Sequence, residues 1–169
     1  SEAARQLGGV LLQSELQSIF FARSRNQTEV LLKYLRDDAK GKHIDQQRVA
    51  GYRGGYLPNL RRSIEQGLRD GTIRTVVSTN ALELGVDIGA LDAVLMRNVP
   101  PLPANYWQRV GRAGRRQRMA VDLTYARPTT HDRFYFNDPQ KMLAGRVDPP
   151  RFNLRNPLMV GRHVNAAVL

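Results

Sequence analysis

The chain has 169 residues, 41% of them apolar, and a formal net charge of +11 that arginine mostly carries. This length is enough for one domain with a sizeable core, and the positive charge favours a polyanionic partner such as nucleic acid. The absence of cysteine excludes disulfides, thiolate zinc sites and iron–sulfur clusters, and the three histidines are too far apart in sequence to indicate a metal site.

Apolar runs alternate with helical periodicities in the first half, which is typical of an α/β protein with a parallel sheet. The predicted elements begin with a helix over about residues 2–14, a buried strand at Ser18–Ala22, and a helix over 25–39. That helix is predicted to place Val30, Leu31, Tyr34 and Leu35 on one apolar stripe. A strand around Arg48–Tyr52 follows, and then a helix that Pro58 begins and Gly71 ends.

The second half continues the alternation up to residue 127. Strands are predicted at Thr75–Ser78 and Ala93–Met96, with a loop and a short helix over 79–89 between them. A proline-rich loop at Asn98–Pro103 leads into a helix over 104–116, and a final strand is predicted within 119–126. We therefore expect one domain over residues 1–127. Residues 128–169 are interpreted as a linker or extension toward a further C-terminal domain of a longer protein.

Residues 108–116 read QRVGRAGRR and place Arg112 and Arg115 three positions apart, each after a glycine. On a helix this spacing puts both guanidinium groups on one face, and the glycines let a phosphate come close. Two permanently charged, planar groups suit a triphosphate whose γ-phosphoryl group is leaving, which is the arginine-finger role in nucleotide hydrolysis. The alternative is a basic helix face in contact with water.

Four segments in this order resemble the second RecA-like lobe of superfamily 2 helicases. They are IFFARSR (19–25), YRGGYLPNLRR (52–62), VVSTNALELGVDIG (76–89) and QRVGRAGRR (108–116), which take the places of motifs IV, IVa, V and VI. The residues in these segments are most similar to those of YprA-like DEAD/DEAH-box DNA helicases. The resemblance implies a RecA-like three-layer sandwich, in which helices flank a central, mostly parallel sheet.

The chain departs from related patterns at two places. DEAD-box RNA proteins usually begin motif VI with His-Arg and carry an Arg-Gly-Asp-like motif V, whereas this chain has Gln108 and LELGVD, which disfavours that type. The segment RNVPP at 97–101 replaces the glycine-containing turn expected in YprA-like proteins, so it weakens the assignment to that branch more than the assignment to the superfamily.

The resemblance also implies a set of nucleotide-facing residues. Gly85 and Asp87 follow a predicted strand, where a glycine permits backbone approach and a carboxylate accepts a ribose hydroxyl. Gln108 would organise the γ-phosphate or the attacking water, with Arg112 and Arg115 as the fingers. The alternative for Gly85 and Asp87 is an ordinary turn with a helix-capping aspartate.

A second set is implied on the nucleic-acid side, where contacts to phosphates position a strand without reading its sequence. Thr79 matches a motif V threonine that donates to a backbone phosphate, and Ser24 follows a strand, where open α/β sheets place ligand-binding loops. The full predicted set is Arg23, Ser24, Arg53, Gly54, Thr79 and Asn80. As alternatives, Thr79 and Ser24 cap helices and Arg53 is simply solvated.

The parts that hold phosphates and metal are not in this sequence. It contains no G-x-x-x-x-G-K-[ST] segment and no acidic DExx pair after an apolar strand. The resemblance assigns both, together with Mg²⁺, to an N-terminal RecA-like lobe of the same protein. ATP with Mg²⁺ is therefore the expected cofactor, and we expect this chain alone not to hydrolyse ATP.

The expected function is that of the C-terminal motor lobe of an ATP-dependent DNA helicase or translocase. Two alternatives are a nucleic-acid-binding module without motor activity and a translocase that moves along duplex without separating it. DNA repair is the pathway most natural for the branch, and phage-defence systems use similar motors. No apolar run approaches the ~20 residues of a membrane span, and no secretory signal is evident, so the expected location is the bacterial cytoplasm or nucleoid.

Overall fold

The computed structural model describes residues 2–83, 85–89, 91–114, 119–146 and 156–168. Within these ranges the chain forms five strands and seven α-helices. The strands are β1 (Ser18–Phe21), β2 (Val49–Tyr52), β3 (Thr75–Ser78), β4 (Ala93–Arg97) and β5 (Val121–Tyr125). The helices are α1 (Glu2–Gln13), α2 (Arg25–Gly41), α3 (Pro58–Asp70), α4 (Pro103–Val110), α5 (Thr130–Asn137), α6 (Gln140–Leu143) and α7 (Pro157–Val168).

The described strands form one parallel sheet in the order β2-β3-β1-β4-β5. The central strand β1 pairs with β3 on one side and β4 on the other, so that Phe20 lies opposite both Val77 and Leu95. Because every strand points the same way, the segments that follow β1, β2, β3 and β4 all emerge at the carboxyl edge of the sheet. Open α/β sheets place their ligand sites at this edge.

Alternate side chains of the buried strands enter two cores, one on each face of the sheet. Phe20 faces the core that α1 and α2 cover, where its neighbours are Leu12, Leu31, Leu35 and Leu95. Ile19 and Phe21 face the opposite core, under α3 and α4. The buried residues of that second core include Tyr52, Ile64, Leu68, Val76, Leu82, Ile88, Leu91, Val94 and Met96. The result is the predicted three-layer α/β sandwich.

Element positions are confirmed within a few residues, with two corrections. The helix predicted over 104–116 ends at Val110, and Ala113 instead pairs with Leu91 as an isolated bridge. Gly114 has a φ of +82°, a conformation that interrupts a helix and that glycine adopts without strain. On α2, Val30 and Tyr34 are half exposed, and Leu32 joins Leu31 and Leu35 in the core.

The segment after β5 packs against the sheet through one buried carboxylate. Asp132 of α5 accepts hydrogen bonds from the backbone N of Arg127 (2.8 Å), Nδ2 of Asn98 (3.3 Å) and the backbone N of Val99 (3.4 Å). Burial alone would raise the pKa of Asp132, but these donors outweigh it and lower that pKa below its ordinary value. The domain boundary at residue 127 stays a prediction. No helix in the described ranges is long and apolar enough to cross a membrane.

Candidate nucleotide and nucleic-acid interface

Residues from three predicted motifs meet in one cavity at the carboxyl edge of the sheet. This cavity, which we call the groove, has a volume of about 450 Å³. Five of the six residues predicted to contact nucleic acid line it: Arg23, Ser24, Gly54, Thr79 and Asn80. They come from the ends of β1, β2 and β3, which are far apart in sequence and adjacent in the sheet. Arg25, which the sequence interpretation did not include, also lines the groove.

The polar groups of the groove keep capacity for a ligand. Ser24 caps α2, since its Oγ accepts a hydrogen bond from the backbone N of Gln27 at 3.3 Å, which leaves its hydroxyl hydrogen free to donate. Thr79 precedes a short 3-10 turn at Asn80–Leu82, and its side chain makes no capping bond there. The predicted alternative, a capping threonine, is therefore not what the structure has. Both hydroxyls are available as donors to a phosphate.

Arg53 does not line the groove. Its Nε donates to Oε1 of Glu29 at 2.9 Å, and its guanidinium lies over the ring of Tyr56, 4.9 Å from the centroid. These contacts hold the side chain against α2 rather than leaving it solvated. A role for Arg53 in strand binding stays a prediction, and it would require the side chain to leave Glu29.

The turn that follows the 3-10 segment exposes the predicted ribose-binding group. Gly85 has a φ of +74°, and a Cβ placed on it would meet nothing within 4 Å, so the surface there is open. Oδ1 of Asp87 accepts from the backbone N of Gly89 at 3.1 Å, and its carboxylate is exposed. The neighbouring Ile88 is fully buried and anchors the turn. An open glycine beside an exposed carboxylate fits a nucleotide sugar, although the role itself stays a prediction.

Arg112 lies directly behind this turn and points into the domain. Only 7% of its surface is exposed. Its Nη1 donates to the carbonyl oxygen of Val86 and its Nη2 to that of Glu83, each at 2.5 Å. The backbone N of Leu91 also donates to the Arg112 carbonyl oxygen, at 3.2 Å. Arg112 thus joins the motif VI turn to the motif V turn, a contact that sequence spacing could not reveal.

A buried ion pair reinforces the same junction. Glu83 accepts hydrogen bonds from Nε of Arg109 at 2.7 Å and from Nδ2 of Asn105 at 3.2 Å, both on α4. The side chains of Arg109 and Glu83 are only 11% and 7% exposed. We call Glu83, Arg109 and Arg112 the clasp, because they tie the segment after β3 to α4 and to the turn beyond it. Sequence reasoning missed Glu83 and Arg109, which lie within two of the motif segments but were given no role there.

The remaining predicted nucleotide contacts are only partly located. Gln108 lies on α4, next to Arg109, with its side chain partly exposed. Arg115 lies outside the described residues. In the described ranges, no three His, Asp or Glu side chains come together as a metal site.

Comparison with known proteins supports the motif assignment. Residues 3–117 match the family described as the helicase conserved C-terminal domain. The chain belongs to this family. As a helicase C-terminal domain it is 41% identical to the ATP-dependent helicase YprA of Bacillus subtilis over 162 residues, which are 96% of the chain and 22% of that protein.

Solved structures agree. The DUF1998 helicase MrfA bound to DNA and AMPPNP matches 98% of this helicase C-terminal domain with a TM-score of 0.91 and 40% identity. The helicase Lhr of Mycobacterium smegmatis, bound to single-stranded DNA and AMP-PNP, matches with a TM-score of 0.78 and 30% identity. The resemblance to the second RecA-like lobe of YprA-like helicases is confirmed. The chain spans 23% and 22% of those two structures, less than a quarter of each.

Proposed function

We propose that this chain is the second motor lobe of an ATP-dependent superfamily 2 DNA helicase or translocase. The observation that carries the proposal is the groove. Arg23, Ser24, Gly54 and Thr79, from separate motifs, converge on one cavity at the edge of the sheet where α/β folds bind ligands. Hydroxyls, an arginine and a glycine backbone are the groups that bind phosphates without reading bases. A motor that moves along any sequence needs contacts of this kind.

The nucleotide half of the proposal concerns the surface around the motif V turn. ATP would lie between this lobe and an N-terminal RecA-like lobe, which would hold the phosphates and Mg²⁺ in the places this sequence lacks. Asp87 and Gly85 would contact the sugar, and Gln108 would face the γ-phosphate. The bound Mg²⁺ neutralises charge on the leaving phosphates. What this chain adds is positive charge from Arg112 and Arg115, after the ATP is already held.

Direct action of Arg112 on a phosphate requires a change from the structure described here. Its guanidinium would exchange the carbonyl of Val86 or of Glu83 for a phosphate oxygen. Pairing with an anion adds an attraction that a neutral carbonyl lacks, which favours the exchange when the lobes close on ATP. On hydrolysis the inward hydrogen bonds re-form and the lobes separate. Because the clasp adjoins the groove, closing and opening of the two lobes would shift the contacts between the groove and the strand.

The inward orientation of Arg112 favours a second candidate, a nucleic-acid-binding lobe without motor activity. In that case the arginine is purely structural, tying two turns together, and the groove is a docking site for a strand. The two candidates predict the same DNA affinity and differ in turnover. Only the motor hydrolyses ATP faster when DNA is present.

The test is the ATPase activity of the intact protein with and without single-stranded DNA. We expect DNA to stimulate hydrolysis, and we expect Thr79→Ala to weaken DNA affinity about three- to tenfold while ATP affinity stays the same. The matched control is Ser14→Ala, which removes an exposed hydroxyl between α1 and β1, at the opposite edge of the sheet from the groove. Absence of any ATPase activity would support the non-motor candidate. Equal DNA affinity of Thr79→Ala and Ser14→Ala would contradict the assigned role of the groove.

A further inference from the structure

A second cavity of about 310 Å³ opens beside the groove. Arg23 and Asn80 belong to the walls of both cavities, so the two are continuous. The rest of the wall includes residues that were not predicted to contact nucleic acid. Asn98 lies in the loop after β4, Arg109 on α4 and His131 on α5.

The order of strands in the sheet places the second cavity next to the groove along the carboxyl edge. The groove spans the ends of β2, β3 and β1, and β4 is the neighbour of β1 on the other side. Neighbouring strands lie ~4.8 Å apart, and successive nucleotides of a stacked strand rise ~3.4 Å, so one more strand adds room for one or two nucleotides. A polynucleotide crossing the groove toward β4 therefore enters this cavity.

The charges in the second cavity suit a phosphate. Arg23, Arg109 and His131 line it, and none of the described residues in its wall is a carboxylate. Arg109 is held in a fixed plane, by its pair with Glu83 and by the ring of Phe21, 5.0 Å from its guanidinium. Nε2 of His131 lies 3.0 Å from the carbonyl oxygen of Pro100, which places the ring at the wall of the cavity.

The loop that forms one side of this cavity is held rigidly. Asn98 has a φ of +95°, a conformation that is costly for any residue other than glycine, and it is almost fully buried. Its amide donates to Asp132, and its backbone N donates to the carbonyl oxygen of Tyr125 at 2.9 Å. Pro100 and Pro101 further restrict the loop. A wall of fixed shape keeps the cavity open without a ligand.

We propose that the second cavity is a subsite for the same nucleic-acid strand, which takes the nucleotide that follows those in the groove and holds its phosphate with Arg23 and Arg109, beside the ring of His131. This inference rests on the proposed function, because it needs a strand in the groove. It adds the loop after β4 and the first turn of α5 to the interface. Its chemistry is recognition of the sugar–phosphate backbone, with no base readout.

Site-directed cross-linking tests the path of the strand in the intact protein. This chain has no cysteine, so His131→Cys introduces a thiol that is unique within it. A thymidine oligonucleotide with thiol tethers on its phosphates is added, and the disulfides that form are mapped by mass spectrometry of peptides. Ser24→Cys reports on the groove. Asn137→Cys, at the exposed end of the same helix as His131, is the matched control.

We expect Ser24→Cys and His131→Cys to cross-link and Asn137→Cys to stay unmodified. Cross-linking through Ser24→Cys without His131→Cys would overturn the subsite and leave the proposed groove intact. Cross-linking through His131→Cys alone would overturn the groove instead. Equal yields at positions 131 and 137 would show contact by diffusion only and would also overturn the subsite.

A change of charge gives an independent measurement. His131→Glu puts a carboxylate in the second cavity, and we expect the affinity for the same oligonucleotide to fall about three- to tenfold at low salt, with a smaller loss at high salt. Asn137→Glu adds the same charge outside the cavity and should change affinity by less than about twofold. Equal losses for the two variants would mean that only long-range repulsion is at work, and the subsite would be wrong.

Discussion

The groove and the clasp lie on the same edge of the sheet but differ in how their polar groups are used. In the groove, the Thr79 side chain makes no capping bond and the Ser24 hydroxyl can still donate. In the clasp, Glu83 is paired with Arg109, and Arg112 donates to two carbonyls within the same domain. The first region is ready for a ligand as it stands. In the second region, the charged side chains already bind groups of the same domain.

This difference indicates that the two ligands are handled differently. Under the proposed function, a strand would bind the groove of this lobe without any rearrangement of the described residues. A triphosphate would need Arg112 to change partners, and the energy for that change would come from ATP held by another lobe. Binding of the strand is therefore expected to be a property of this lobe, whereas hydrolysis is expected to be a property of the closed pair.

The largest effect that would sharpen this contrast is expected from Arg112→Ala in the intact protein. An arginine finger contributes roughly 10³–10⁵ in turnover, so we expect DNA-stimulated kcat to fall by at least about 10³. Affinity for DNA should change by less than about threefold, because Arg112 does not line the groove. The measurements are steady-state ATPase and equilibrium binding of single-stranded DNA.

Arg133→Ala serves as the control, because it removes an exposed arginine of α5 that belongs to neither region. A variant Arg112→Ala with normal turnover would break the proposed role of the clasp in hydrolysis. A variant whose DNA affinity falls as far as its turnover would show that the two regions are not separable in the way described.

A second prediction concerns stability and compares the buried ion pair of the clasp with an exposed ion pair that lies outside both regions. Glu83→Gln leaves the buried charge of Arg109 without its partner, and we expect a loss of about 2–4 kcal/mol in the free energy of unfolding. Glu29→Gln breaks the pair with Arg53, whose side chains are 45% and 30% exposed, and should cost less than about 1 kcal/mol. Urea unfolding of the chain measures both. Similar losses of unfolding free energy for the two variants would show that the buried ion pair of the clasp contributes no more to stability than the exposed pair.

Much of the fold follows from sequence because the signals are local. Buried strands such as Ser18–Phe21 are short apolar runs, and Pro58 and Gly71 mark the two ends of α3 by their backbone preferences. Five of the six residues predicted to contact nucleic acid line the groove, since residues that follow parallel strands must meet at one edge. Arg53 instead contacts Glu29, 24 positions away, which a local sequence pattern does not reveal, and its role in strand binding stays a prediction.

The clasp was not predictable for a related reason. Spacing alone assigned Arg112 to a helix face, but the helix ends at Val110 and the side chain turns inward. Its partners are backbone carbonyls, which carry no residue identity that a sequence pattern could detect. Glu83 and Arg109 belong to different motif segments, and their pairing depends on how α4 packs over the segment after β3.

The smallest predicted effects concern the carboxylates of Asp132, which contacts the loop after β4, and Asp122, which contacts α4. Asp132 fixes the loop after β4, and its donors lower its pKa, so its contribution to stability is full above about pH 4 and is lost as the pH falls. Asp122 accepts from the Tyr106 hydroxyl at 2.7 Å and so holds α4 on the sheet. Burial raises the pKa of Asp122, although the hydrogen bond from Tyr106 opposes that rise. Ionised Asp122 therefore costs stability as the pH rises above its ordinary value of about 3.8.

The corresponding amide variants should shift stability in opposite directions. At pH 7, Asp132→Asn loses a charged acceptor for three donors and should lower the free energy of unfolding by about 1–3 kcal/mol. Asp122→Asn keeps an acceptor for Tyr106 and removes a buried charge, so it should raise that free energy by up to about 1 kcal/mol. The difference for Asp122→Asn should shrink toward pH 3, where that carboxyl group is protonated, whereas the difference for Asp132→Asn should persist to lower pH because the pKa of Asp132 is lowered. Urea unfolding at pH 7 and pH 3 provides the measurement, and a shift of the same sign for both variants would show that the two supports are not electrostatically distinct.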